Sequence, residues 1–381
     1  MIKCLSTSVT TCLTVMAGLF VPSAVHSQSR SELDSIVSTF FAEMRPTGLA
    51  VGVISNRGFR YVSTHGLAQR GTSRKITSST VFHLASVTKT FTGIAVMQLV
   101  ERGAFSLDDP ISKHLPAFKL EDSRYRDITI RRLLNHSSGL PHAETYNWDK
   151  PQTGDSALVN YVRSISSLRL LFDPGDRWSY SDVGYEILGA LVAKASRMSF
   201  EEYVDRNILR PAGMNNSTLL LTPVREANLA APHTPDSSNG AVVSAVYPYN
   251  REHAPSSTMH ADIQDALLWA ETLLPHDTRK KHAILPRAVI EDMWRPTLRI
   301  ELPEGAIAGI PHHLAMGLTY FTWQQGQHRV IWHGGDDVGF STSLMMALDD
   351  GVAVVVLSNQ RLVPVHKLAS SLLSVVIQAQ R

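Results

Sequence analysis

The stretch Ser86-Val87-Thr88-Lys89-Thr90-Phe91-Thr92-Gly93-Ile94-Ala95-Val96-Met97-Gln98-Leu99-Val100-Glu101-Arg102 reads as one long helix, stopped by Gly103. Its body is apolar at Phe91, Ile94, Ala95, Val96, Met97 and Leu99, enough to be buried. It opens on Ser-x-x-Lys, and residues i and i+3 share a helix face, so the hydroxyl of Ser86 and the amine of Lys89 can approach. Burial pushes a lysine toward its neutral amine, which can take a proton from a neighbouring hydroxyl. A serine at a helix start also places its own N–H where negative charge is favoured. By itself the pattern is weak, since about one such match is expected by chance in a chain of this length. The alternative is an N-cap serine followed by a solvated lysine. No other lysine here has a serine three residues earlier.

On the N-terminal side, residues 31–44 carry apolar side chains at helical spacing: Leu33, Ile36, Val37, Phe40 and Phe41. Residues 47–55 then read as a buried strand, Asn56-Arg57-Gly58 as a turn, and residues 59–66 as the second strand of a hairpin. On the C-terminal side, helical patterns dominate from about 107 to 245, at 128–134, 157–165, 185–196 and 200–208, with further helices at 261–274 and 286–293. Strands are expected at 318–323, 329–333, 341–347 and 352–357, and a last helix at 365–376 with Leu368, Leu372, Leu373 and Val376 on one face. The fold class expected is α/β of the α+β kind: an antiparallel sheet joining the first hairpin to the last strands, flanked by helices, with an all-helical lobe. One catalytic domain would span 28–381, its sheet lobe about 31–106 and 246–381 and its helical lobe about 107–245. Ligands bind preferentially where two such lobes meet.

Charge narrows the partner. Lys and Arg number 36 against 34 Asp and Glu, a net charge of +2, which gives no support to nucleic-acid binding, a function that needs a basic surplus. A small-molecule or peptide substrate is the default; nothing in the sequence fixes an oligomeric state. Residues 1–27 read as a secretory leader: Lys3, then the apolar run CLTVMAGLFV at 12–21, then Val25-His26-Ser27 with small residues at −3 and −1. The apolar run is too short for a membrane span. The protein is therefore expected to be exported, periplasmic or secreted. Both cysteines, Cys4 and Cys12, fall inside the leader, so the remaining chain offers no disulfide, Cys nucleophile or Cys-ligated metal. Covalent catalysis would have to use Ser, Thr, Lys or a carboxylate.

Two further segments matter: LFDPGDRWSYSDVGYEILG at 171–189 and VIWHGGDDVGF at 330–340. With Ser86-Val87-Thr88-Lys89 they resemble the serine β-lactamase and penicillin-binding-protein-like family, on the side of class C β-lactamases, D-aminopeptidases, DD-carboxypeptidases and related esterases. LLNHSSGLP at 133–141, LPAF at 115–118 and LRPAGMNNST at 209–218 fit the same pattern in order and spacing. The resemblance implies a β-lactamase/transpeptidase-like fold. It also implies that Ser86 is the acylated nucleophile, Lys89 its proton partner and Tyr180 the phenolic base and acid. His333-Gly334-Gly335 would stand for the family's Lys-Thr-Gly along the substrate. The oxyanion hole would be the backbone N–H groups of Ser86 and Asp336. The glycines suit close approach of a substrate backbone to an edge strand. No cofactor is implied.

Two departures shape the expectation. Asp182 stands where the family has Asn; a carboxylate only accepts hydrogen bonds, and beside Lys89 it would hold the ammonium form and favour Tyr180 as base. Its alternative role is a loop acceptor for backbone N–H groups. His333 replaces a lysine, so recognition of carboxylate-bearing substrates should weaken, and any such binding should strengthen as pH falls through about 6.5. The function expected is thus an exported serine hydrolase acting through a Ser86 acyl-enzyme on esters, amides or D-amino-acid peptides, with β-lactams an open case. A cell-wall DD-carboxypeptidase and a non-hydrolytic penicillin-binding-like protein are the rivals. His312-His313 lacks a third metal ligand in sequence, His136 reads as a structural hydrogen-bonder, and neither G-x-S-x-G nor a Gly-rich phosphate loop is present.

Overall fold

The computed structural model describes residues 24–221, 228–236, 240–275 and 284–380, with side chains from Ser29 onward. The leader expected over 1–27 thus lies largely outside the described residues. Helix α1 (Ala24–Met44) leads into the hairpin β1 (Gly48–Ser55) and β2 (Arg60–Gly66). Helix α2 (Thr88–Glu101) is entered through a 3-10 turn, Ala85–Val87. Helix α3 (Asp182–Ser196) is the longest of the middle region, and α4 (Ile263–Leu273) returns the chain to the sheet. The strands β3 (Leu298–Glu301), β4 (His313–Met316), β5 (Phe321–Gln325), β6 (His328–Asp337), β7 (Phe340–Ala347) and β8 (Val352–Ser358) come next in the chain, and α5 (Val365–Ala379) ends the fold.

These strands form one antiparallel sheet in the order β2-β1-β8-β7-β6-β5-β4-β3. The first hairpin docks on the last strand, with Leu49 opposite Ser358 and Ser55 opposite Val352. Every residue of β1, β7 and β8 is buried, which explains why β1 and β8 read as continuous apolar runs rather than alternating ones. The two faces still follow the period of two. Val352, Val354 and Val356 pack with Leu33 and Val37 of α1 and Leu368 and Leu372 of α5. Ala353, Val355 and Leu357 face the other way, into a core shared with α4, α2 and the helical region. Gly52 of β1 lets α4 come close: a Cβ there would sit 2.7 Å from Leu267.

The sheet has two strands the sequence pattern did not announce, β3 and β4. They are short and lie at the far edge, with Arg299, Glu301 and His313 exposed, so they lack the apolar run that marked the others. At the opposite end of the site, β6 runs longer than expected. Its pairing with β5 stops at Trp332 opposite Phe321, while pairing with β7 continues to Asp337 opposite Phe340. Residues 333–337 therefore present an edge that β5 does not cover. Helix α2 is buried along almost its whole length, packed between the sheet and the helices of the middle region. Among the described residues, no helix is long and apolar enough to cross a membrane.

Candidate active site

Ser86 sits in the 3-10 turn rather than in the first turn of α2. The residue before it, Ala85, has φ 48°, a left-handed conformation that a non-glycine residue holds only when its surroundings impose it. Those surroundings are visible. Leu84 N–H donates to the carbonyl of Met259 at 2.7 Å, and the Leu84 carbonyl accepts from Thr342 Oγ1 of β7 at 2.8 Å. Gly335 of β6 presses on the same turn: a Cβ there would lie 2.5 Å from Leu84 O and 3.0 Å from the Ala85 Cβ. So Gly335 has a reason within the fold to be glycine: the nucleophile turn leaves no room for a side chain, while the residue still lines the cavity beside Ser86. A Cβ on Gly334 would meet Trp332 and His366 at 2.5 and 2.6 Å.

Lys89 comes one turn later and is fully buried. Its Nζ donates to Ser86 Oγ at 3.1 Å and to the Ser256 carbonyl at 3.0 Å, and lies 4.9 Å from the centroid of the Tyr180 ring. It also forms an ion pair with Asp182 Oδ1. Of the two expectations for Lys89, the neutral amine from burial gives way to the ammonium expected beside a carboxylate at 182. Burial does press Lys89 downward, but the charge of Asp182 outweighs it and holds the ammonium well above the ordinary lysine value.

The Tyr180-Ser181-Asp182 element is fixed by the start of α3. Ser181 is the N-cap, its Oγ accepting from Gly184 N–H at 3.2 Å and donating to the Pro141 carbonyl at 2.7 Å. Asp182 is then the first helical residue, where the helix N-terminus favours its charge. Burial opposes that charge, yet Lys89 and His142 hold the carboxyl well below the usual carboxylate range. Tyr180 precedes the cap, and its hydroxyl lies close enough to Lys89 and Ser86 for both to act on the phenol. Burial raises the phenol above its ordinary value despite the neighbouring ammonium, so it rests as the neutral phenol. His136 is structural, as expected: its Nδ1 accepts from Ser181 N–H at 3.1 Å and its ring lies on that of Tyr180, centroids 4.4 Å apart. Burial keeps it far below the usual histidine range.

His333 corrects a second expectation. It is buried, with Nδ1 bonded to the Gly334 carbonyl at 2.8 Å. Burial, reinforced by Lys89, lowers it to about 3. It therefore stays neutral across the range in which a surface histidine would titrate, and carboxylate binding should not strengthen through pH 6.5. The side chain of Asp336 points to Arg361, 3.0 Å away, and its backbone lines the same cavity as Ser86.

That cavity, about 550 Å³, has Ser86 and Tyr180 at its base and the open edge of β6 along one side. Trp148, Trp178, Phe321 and Trp332 line it together with the charged side chains of Asp336, Asp337 and Arg361. Several of its groups were not singled out from the sequence. His142 Nδ1 and Tyr146 Oη both reach Asp182 Oδ2, at 2.6 and 2.5 Å. Trp148 Nε1 donates to Asp337 Oδ1 at 3.0 Å, while Asp337 Oδ2 takes Ser257 Oγ at 2.7 Å and His83 Nε2 at 3.3 Å. The available signal was compositional only: three aromatic or imidazole side chains in an irregular loop just after Pro141.

A family model described as Beta-lactamase matches residues 33–373. Protein flp of Staphylococcus aureus is 23% identical over 357 residues, covering 93% of this chain and 68% of its own. Penicillin-binding protein 4* of Bacillus subtilis is 33% identical over 160 residues, 41% of this chain and 34% of its own. Among solved structures, an octameric penicillin-binding protein homologue from Pyrococcus abyssi superposes with a TM-score of 0.78 at 24% identity, over 91% of this chain and 77% of that one. A class C beta-lactamase in complex with cefoxitin gives 0.74 at 18% identity, over 92% and 99%.

Proposed function

The chain belongs to the beta-lactamase family, and from that premise we propose that it is a serine hydrolase working through an acyl-enzyme on Ser86. One observation carries this reading: a serine hydroxyl, a buried ammonium 3.1 Å from it and a phenol beside both meet where an accessible cavity is lined by Ser86 and Tyr180. In the proposed reaction Ser86 Oγ attacks the acyl carbon while its proton passes to the Tyr180–Lys89 pair. The oxyanion faces the backbone N–H groups of Ser86 and Asp336. The proton returns to the leaving group, and water then releases the acyl group by the same route.

The wall favours esters, amides or D-amino-acid peptides whose acyl side is neutral and apolar. Trp148, Trp178, Phe321 and Trp332 supply apolar surface there, and the position that resembles the family's lysine holds a histidine that stays uncharged to about pH 3. β-Lactams are a second substrate class, on the likeness to the cefoxitin-bound structure. We also propose export, on the leader-like residues 1–27; recovery of the protein only from the cytoplasmic fraction, with those residues still attached, would refute it.

The test is hydrolysis of p-nitrophenyl acetate and butyrate, a D-Ala-D-Ala peptide and a penicillin, with mass spectrometry of the protein after a fluorophosphonate. The expected result is ester turnover, a single adduct on Ser86, and loss of both in Ser86→Ala with the fold retained. Turnover confined to the D-Ala-D-Ala peptide would make it a DD-carboxypeptidase. A Ser86 adduct without turnover of any substrate would make it a binding protein.

A further inference from the structure

The acyl-enzyme reading, on which this inference rests, leaves the Ser86 proton without a final acceptor. Lys89 is already an ammonium and Tyr180 already a phenol, so neither takes that proton unless it passes one on. The group beside them that holds a negative charge is Asp182, bound to Lys89 through Oδ1. Its other oxygen, Oδ2, is held by His142 Nδ1 at 2.6 Å and Tyr146 Oη at 2.5 Å. Asp182 is 1% exposed, whereas the His142 side chain is 54% exposed and borders the cavity. A buried carboxylate thus links the serine's proton partner directly to an imidazole open to solvent.

We propose that Asp182 is the terminal proton acceptor of the acylation step and that His142, acting through it as a positioning residue, sets its basicity. As Ser86 Oγ bonds to the acyl carbon, its proton goes to Lys89, directly or through Tyr180, and Lys89 passes one proton to Asp182 Oδ1. Lysine remains an ammonium, aspartate becomes the neutral acid, and the negative charge appears on the substrate oxyanion. When the intermediate collapses, Asp182 returns the proton through Lys89 to the leaving group. At rest the ion pair favours the charged forms, so the transfer occurs only as the oxyanion forms. Neutral His142 donates one hydrogen bond to Oδ2. Protonated His142 places a full positive charge there, which weakens Asp182 as a base and slows acylation.

The other groups around this pair do not supply the same control. Tyr180, Tyr185 and Tyr146 are raised by burial and remain phenols; His136 and His333 are held neutral, and Glu186 lies buried against His253 and Ser256. An amide at position 182 could neither accept the proton nor respond to His142 in this way.

The experiment is the pH dependence of Ser86 acylation by p-nitrophenyl acetate in stopped flow, and of its phosphonylation by a fluorophosphonate. It is run from pH 5 to 9 on the wild type, His142→Gln, Asp182→Asn and Tyr146→Phe, each checked by circular dichroism. The wild-type rate should fall about tenfold per pH unit on the acid side, within the range where imidazoles change charge. That fall should be absent in His142→Gln, whereas Asp182→Asn, which has no acceptor for the proton, should lose acylation across the whole range. The fall should persist in Tyr146→Phe, which removes a hydrogen bond to the same oxygen but not a titrating group. An acid limb retained in His142→Gln, or lost equally in Tyr146→Phe, overturns the inference and leaves the hydrolase reading standing. Failure of Ser86 to react with either reagent at any pH overturns both.

Discussion

Gly335→Ala tests how the sheet holds the nucleophile. The added Cβ would meet Leu84 O at 2.5 Å, Thr342 Oγ1 at 2.4 Å and Ala85 Cβ at 3.0 Å. Ordinary contact begins near 3.4 Å, so strand and turn must part by about 0.9 Å along the line to Leu84 O. The obstructing carbonyl is backbone, one residue from Ala85 with its φ of 48° and two from Ser86, so it has no cheap way to yield. Overpacking of this kind costs about 1–3 kcal/mol. A displacement near 1 Å at a reacting group costs about 10²-fold in rate. Gly335→Ala should therefore lower kcat/KM for p-nitrophenyl acetate by about two orders of magnitude and move the urea midpoint down. Gly334→Ala is the comparison: its Cβ meets side chains, Trp332 and His366, which can turn aside, so its loss should be several times smaller. Equal rates in Gly335→Ala and the wild type would show that the strand does not brace the turn.

Three other outcomes are expected. Lys89→Met leaves the Asp182 charge buried without its partner and should cost about 3–5 kcal/mol in urea unfolding, while Lys89→Met combined with Asp182→Leu should recover most of it. Thr342→Val removes the shorter of two hydrogen bonds to the buried Leu84 carbonyl, leaving only the Val87 N–H at 3.2 Å, and should cost about 0.5–1.5 kcal/mol, with acylation of Ser86 slowed as well. His333 is lowered to about 3, so between there and its unfolded value near 6.5 the unfolded chain binds more protons; stability should fall as pH drops through that window, and His333→Gln should make the fall shallower in urea midpoints measured from pH 7 to 4.

What the sequence revealed depends on which interactions are local. Helix α2 and the strands β1 and β8 were legible because burial on both faces leaves long apolar runs. The pairing of Ser86 with Lys89 was legible because it spans three residues of one helix. The edge strand β3 and its neighbour β4 were not, since both are short, four residues each, and carry exposed side chains between the buried ones. The lowering of His333 and the raising of Lys89 depend on burial and on Asp182, which comes close only through the start of α3. His142 and Tyr146 lie 40 and 36 residues before that carboxylate, in a loop with no periodicity. Nothing short of the fold brings them to it.

The placement of β1 against β8 has a consequence for how the molecule is born. The hairpin made first cannot complete its neighbour until residues 352–358 have emerged, more than 290 positions later. Pairings separated this far form late. Because β7, which is hydrogen-bonded to the Ser86 turn, is seated on that same last strand, a nascent or truncated chain should carry an unreactive serine. Covalent labelling of Ser86 would then report arrival of the C-terminus, making the active site a clock for its own synthesis.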